Sequence, residues 1–263
     1  MKRRSSGVRP TRGAGAGLAL VLLLTACGSD PAGPIEPRPP LGPTIFMDPD
    51  IITSADATSL VAVSEAGMGD RLMFDRREDD FVSYEAHLFD ATYDDGMAIE
   101  VQVNPEFDGA AALAAAETYA AAIGRLPAFL RADVETVWIH QGDEDFGGGN
   151  ANILIHTDRA HDYESEGILE EAMIHEAAHT SLDAAHARSA GWIAAQEADG
   201  NYISQYAKDN DSTEDLAETL VPFIAVEYRS DRITAFLEST IRSAIPARIE
   251  YLASQGFALH PFD

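Results

Sequence analysis

The sequence predicts an α+β fold, with strands gathered in the first half of the folded region and helices in the second. Three observations carry this reading. Short β-forming runs lie ahead of Ile168. From Ile168 onward apolar residues recur at helical spacing, and no Gly or Pro interrupts Ile168–Arg188.

Each element follows from local chemistry. Ala98–Val103 (AIEVQV) alternates apolar and polar residues, the period of a half-buried strand. Ala110–Leu130 is rich in Ala and reads as helix, interrupted near Gly124 and Pro127. Val134–His140 and Asn150–His156 (NANILIH) read as strands, the second entered from a Gly-rich loop. That loop, GGGN, has neither a following Lys-Ser/Thr nor a helix after it, so it is no phosphate cradle. Ile168, Leu169, Ala172, Met173, Ala177 and Leu182 form the apolar pattern of a helix from 168 to 188. A helix around Trp192–Ala198 follows. Ser212 or Asp211 caps another that runs through TLVPFIAVEYR, and two further helical segments after Arg232 end near Gly256.

The N-terminus predicts where the chain works. Lys2, Arg3 and Arg4 precede an apolar run, Gly17–Leu24, that is too short to span a bilayer. Leu24-Thr25-Ala26-Cys27 then reads as a bacterial lipobox, and Cys27 is the chain's one cysteine. Residues 1–26 are therefore expected to be a signal peptide. Cleavage before Cys27 and lipidation of it would hold the protein at the cell envelope, outside the cytoplasm, anchored to the membrane rather than spanning it. Gly28 in place of Asp omits the simple inner-membrane retention signal. With Cys27 modified no disulfide can form. Residues 27–44 are Pro-rich and read as a tether, and residues 45–263 as the folded domain.

Removing the leader takes away five basic residues and moves the formal charge from −26 to −31. Such a surface repels nucleic acid, so no nucleic-acid partner is expected. The acidic stretches GDEDFGGGN and DNDSTED do not complete an EF-hand loop, because Leu154 and Glu214 stand where a ligand and a Gly are required.

The chemistry is concentrated in His175-Glu176-Ala177-Ala178-His179. Residues four apart share one helix face, so His175 and His179 can offer two imidazole nitrogens to one Zn2+ ion. Glu176 is then placed to accept a proton from a water whose pKa zinc lowers to about 7. A catalytic zinc takes a third protein ligand. Asp183, His186 and the acidic segment from Asp211 to Glu218 are the candidates. On a continuous helix His186 would lie roughly 10 Å along the axis from His179. Leu182 and Ala185 stand where the metzincin motif has Gly and His, which argues against that arrangement. His140, His156 and His161 read as ordinary polar residues.

With Glu214 and Glu218 one helical turn apart downstream of HExxH, the chain resembles the gluzincins, the thermolysin-like and anthrax-lethal-factor-like zincin metallopeptidases. The resemblance covers residues 165–230 and implies a zincin-like domain with a small mixed sheet, an HExxH helix and a helical C-terminal lobe. It implies Glu214 as third ligand and Glu218 as supporting acid, with Asp183 at a position where such helices tend to carry Asp. A zinc-bound histidine donates its other N–H to a carboxylate or carbonyl, which Asp183 and Glu218 are placed to accept. Tyr206, eight residues before Glu214, is the candidate oxyanion donor, at an offset slightly different from that of the lethal-factor-like enzymes. Tyr202 and His186 are its rivals. The implied activity is zinc-dependent hydrolysis of peptide or protein substrates. The alternatives are a non-catalytic zincin-fold lipoprotein that binds rather than cleaves, and a hydrolase of non-peptide amides.

Overall fold

The computed structural model describes residues 38–42, 44 and 50–262. The leader and Cys27 lie outside the described residues. Strands β1 (Leu60–Asp75) and β2 (Asp80–Tyr93) form a long antiparallel hairpin, and β3 (Ala98–Val103) pairs antiparallel with β2. A register shift at Glu65/Gly67 is absorbed by Gly67, whose φ of 90° only glycine adopts freely. Helices α1 (Gly109–Ile123) and α2 (Ala128–Arg131) lead to β4 (Thr136–His140), and β5 (Gly147–Gly149) and β6 (Asn152–His156) follow. The sheet is mixed, in the order β1-β2-β3-β4-β6-β5, with β3, β4 and β6 parallel and β5 antiparallel at the edge.

The parallel strands carry the core because alternate residues point to one face. Val101, Val137 and Ile153 stand side by side across three strands, as do Val103, Ile139 and Ile155, and all six are buried. The opposite face presents Gln102, Trp138 and Leu154 in register.

Helices α3 (Thr157–Glu166) and α4 (Leu169–Ser181) come next, then a π-type turn at Asp183–Ala187, α5 (Ala190–Asp199) and α6 (Gln205–Asp209). Helices α7 (Asp215–Tyr228), α8 (Ala235–Ala244) and α9 (Pro246–Ala253) complete the chain. α4 lies at the centre, packed against β5, β6, α2 and α7. α7 is buried from Asp215 through Val226, which explains why its sequence is apolar almost all round. Trp192 anchors α5 against Tyr251 of α9 and is fully buried.

Four details differ from the sequence reading. The long β1–β2 hairpin is not marked by strong alternation, because most of β1 is solvent-exposed on both faces. The helix expected to run to Arg188 ends at Ser181 and widens into the π-type turn, where Ala185 and His186 N–H groups both bond to Leu182 O. α7 begins at Asp215, after a turn in which Thr213 and Glu214 N–H groups donate to Asn210 O, so neither Asp211 nor Ser212 caps it. The Gly-rich segment, read as a loop, is itself a strand, β5, at the sheet edge.

Within the stretch read as tether, Leu41 is joined to the body. Its N–H donates to Ile203 O at 2.8 Å and its carbonyl accepts from Gln205 N at 2.7 Å.

Candidate metal centre

The site lies where α4 meets the start of α7. α4 is held against the sheet edge by close backbone approach: a Cβ on Gly148 would stand 1.9 Å from the Glu176 carbonyl oxygen, so only glycine fits there. Thr180 reinforces the contact, accepting from Gly149 N at 2.7 Å and donating to Asn152 O at 2.8 Å. The start of α7 is fixed by a buried ion network. Arg248, fully buried, meets Asp215 at 2.8 Å and Asp199 at 3.0 Å, and Gln196 also donates to Asp215 at 2.8 Å. Glu214 is the residue before Asp215, so its position inherits that rigidity.

Three donor atoms converge between these helices. His175 Nε2 and His179 Nε2 are 3.2 Å apart, and Glu214 Oε2 lies 3.3 Å from the first and 3.2 Å from the second. A tetrahedral ion with bonds of about 2.0–2.1 Å sets its ligands about 3.3–3.4 Å apart. Among the described residues this is the one group of three metal-ligating side chains with such convergence. The other ring nitrogens face carboxylates: His179 Nδ1 lies 2.8 Å from Asp183 Oδ2 and His175 Nδ1 lies 3.4 Å from Glu218 Oε1. Carboxylates accept only, so each imidazole faces its carboxylate with Nδ1 as the donor; a neutral ring held this way turns its Nε2 lone pair toward the shared centre.

Glu218 is buried and also accepts from the hydroxyls of Thr44 and Ser204. Asp183 is at His179 Nδ1, outside the convergent triad. His186 is elsewhere, its Nδ1 2.8 Å from the Tyr251 hydroxyl and its ring against Phe257. Tyr202 donates to Asp211 at 3.3 Å beneath the Arg248 guanidinium. Tyr206 and Glu176 line the same cavity of about 680 Å³ as the triad.

Without a metal the cluster is electrostatically coupled. Burial opposes a charged imidazole at His179, but hydrogen bonds to Asp183 and Glu214 push its pKa up to about 10. Burial likewise opposes the Glu214 carboxylate, but hydrogen bonds with His175 and His179 bring its pKa down to about 2. Burial raises the pKa of Glu176, partly offset by the two imidazoles.

Sequence reasoning missed Thr44, Ser204 and Arg76. Thr44 lies in the Pro-rich stretch that reads as a tether, and Ser204 carries no motif. Arg76 sits in the charged β1–β2 turn, about a hundred residues from HExxH in sequence, yet lines the cavity. His140 and His156 are both fully buried and stacked at 5.4 Å in a separate polar cluster with Asp75 and Asn104. No protein-family model, curated protein or solved structure matches this chain.

Proposed function

We propose that this protein is a zinc-dependent metallopeptidase with a zincin-like catalytic domain, acting outside the cytoplasm from a lipid anchor at Cys27. The observation that carries the reading is the convergence of three potential ligand atoms at tetrahedral spacing, with both histidines backed by carboxylates and a half-buried glutamate next to the first of them. Two imidazoles and a carboxylate at this spacing need a shared proton or a cation between them, and that donor set suits zinc.

His175, His179 and Glu214 would hold the ion, which supplies Lewis acidity toward a peptide carbonyl and toward water. Glu176 accepts the proton of the attacking water and returns it to the departing amine; a pKa raised by burial suits both halves of that cycle. Tyr206 donates its hydroxyl to the developing oxyanion. Asp183 and Glu218 keep the imidazoles in one tautomer and orientation. The edge strand β5 offers backbone groups to an extended peptide.

The test measures zinc content and hydrolysis of an unstructured protein by wild type, Glu176→Gln and Glu214→Ala. Glu176→Gln should keep zinc and lose about 10²–10⁴-fold in rate, whereas Glu214→Ala should lose zinc. One zinc without hydrolysis across varied substrates would favour a non-catalytic binding module; no zinc in wild type would end the enzyme reading.

A further inference from the structure

The metal cavity contains one feature its chemistry does not use. Apart from the two histidines, its charged lining is acidic, with Asp145, Glu176, Asp183 and Glu214, except for Arg76. In this chain, with 44 acidic residues against 18 Lys and Arg, arginines find carboxylates readily. Arg71, Arg77, Arg125, Arg131, Arg232 and Arg242 each meet one within 3.0 Å. Arg76 instead donates from Nη2 to a neutral acceptor, the Phe146 carbonyl, at 2.7 Å. The bond pins the guanidinium over β5, where a Cβ on Gly147 would stand 3.0 Å from Nη2, and leaves the rest of its donor fork to the exposed side.

A second, apolar groove of about 260 Å³ lies across β5 on the outer face of the sheet. Phe74, Phe81 and Trp138 wall it, with ring centroids 5.3 Å apart for Phe74–Phe81 and 6.0 Å for Phe81–Trp138. Phe81 is 47% exposed, a large aromatic surface left to solvent. Arg76 and Gly147–Gly149 line both the groove and the metal cavity. β5 is thus the shared rim, and three glycines keep it bare of side chains. An extended peptide lying along this rim alternates its side chains between two faces, one toward α4 and the metal ligands, the other toward the aromatic groove. Arg76, at the boundary, would meet a carboxylate carried by the peptide.

We propose that Arg76 and the Phe74–Phe81–Trp138 groove form a two-part specificity subsite, selecting peptides with an acidic side chain beside a large apolar one. This rests on the peptidase reading and narrows it. A guanidinium fork matches a carboxylate in two parallel hydrogen bonds, a discrimination that neutral residues cannot supply.

The experiment digests a diverse peptide library with the zinc-loaded full chain and maps cut sites by mass spectrometry, for wild type, Arg76→Ala, Arg76→Glu and Phe81→Ala. Both substituted positions are exposed, and circular dichroism of each variant is the folding control. Wild type should enrich Asp and Glu at one fixed position relative to the cut and large apolar residues at a nearby one. Arg76→Ala should cut the acidic preference roughly tenfold while keeping the apolar one. Arg76→Glu should turn the preference toward Lys and Arg, and Phe81→Ala should weaken only the apolar preference. An acidic preference that survives Arg76→Ala, or wild-type cuts with neither preference, overturns the subsite and leaves the peptidase reading intact. No cleavage by wild type removes both.

Discussion

Replacing Glu218 by Gln probes the support behind the proposed zinc site without touching a ligand. The Glu218 carboxylate is 1% exposed, accepts from the Thr44 and Ser204 hydroxyls, and faces His175 Nδ1 at 3.4 Å. Gln keeps the shape but loses the charge, and its NH2 must replace one acceptor oxygen. Where the amide oxygen takes the Oε1 place, shared by His175 and Thr44, the Ser204 hydroxyl must reverse its hydrogen bond; where it takes the Oε2 place beside Ser204, the NH2 confronts the His175 N–H and the Thr44 hydroxyl across a dry contact. Either way the imidazole loses its anionic partner in a place water does not reach. Loss of such a partner weakens metal binding by about 10–100-fold, or roughly 1.4–2.7 kcal/mol. Asp183 supplies the internal comparison. Its bond to His179 is shorter, 2.8 Å, but its side chain is 31% exposed, so solvent can replace what Asp183→Asn removes. Glu218→Gln should therefore sit at the upper end of the range and Asp183→Asn at the lower. The assay is competition titration against a zinc indicator at neutral pH, with circular dichroism of each metal-free variant as the folding control. Wild-type affinity in both folded variants, or a larger loss in Asp183→Asn, would refute the reasoning.

Three further outcomes follow from the same geometry. Arg248→Met leaves the buried carboxylates of Asp199 and Asp215 without their cation and should destabilise by about 3–5 kcal/mol, measured by urea unfolding; a loss under 1 kcal/mol would contradict the role given to the network. Gly148→Ala drives a methyl into the Glu176 carbonyl, so β5 or α4 must move; we expect a loss of about 1–3 kcal/mol and a fall in any hydrolytic rate that outpaces loss of zinc. Burial of His140 lowers its pKa from 6.5 to about 4. The unfolded chain then binds the extra proton between those values, so stability present above pH 6.5 is lost as pH falls toward 4, by about 3 kcal/mol at the limit. His140→Asn should flatten that part of a stability-versus-pH curve, and an unchanged slope would assign the acid limb to other groups.

How much of this was legible depends on how far apart in sequence the cause lay. The HExxH pair could be read because four residues on a helix fix a face whatever the rest of the chain does. The acids at 214 and 218 could be paired for the same reason, although the turn at 210–214 delays the helix to Asp215. β3, β4 and β6 declared themselves through β-branched residues, and the Ala-rich segment through its breaks at Gly124 and Pro127. Gly147–Gly149 could not be read as a strand, since glycine disfavours strands; its reason is a helix backbone that occupies the space of a side chain. Arg76 and Thr44 were beyond reach because each arrives at the site through tertiary placement alone. His140 and His156 carry no periodic signal that separates a buried pair from surface histidines.

The metal-free electrostatics explain why so acidic a chain can keep this site assembled. A carboxylate and two imidazoles brought within 3.3 Å need a proton or a cation shared among them. Hydrogen bonds to Asp183 at Nδ1 and Glu214 at Nε2 raise the pKa of His179 and so favour a ring protonated at both nitrogens. The three side chains are therefore organised without an ion. In the proposed zinc site that pre-assembly has a cost: loading would displace the proton from His179, so binding should be coupled to proton release and strengthen with pH. It also explains the division of labour among the flanking acids. Asp183, partly exposed, can stabilise the transient imidazolium and then accept from the neutral ring, whereas buried Glu218, fixed by Thr44 and Ser204, sets the direction of His175 in both states. Thr44 adds a consequence for the segment around it. Leu41 is hydrogen-bonded to Ile203 and Gln205, and Thr44 donates to Glu218, so this segment is part of the wall behind His175.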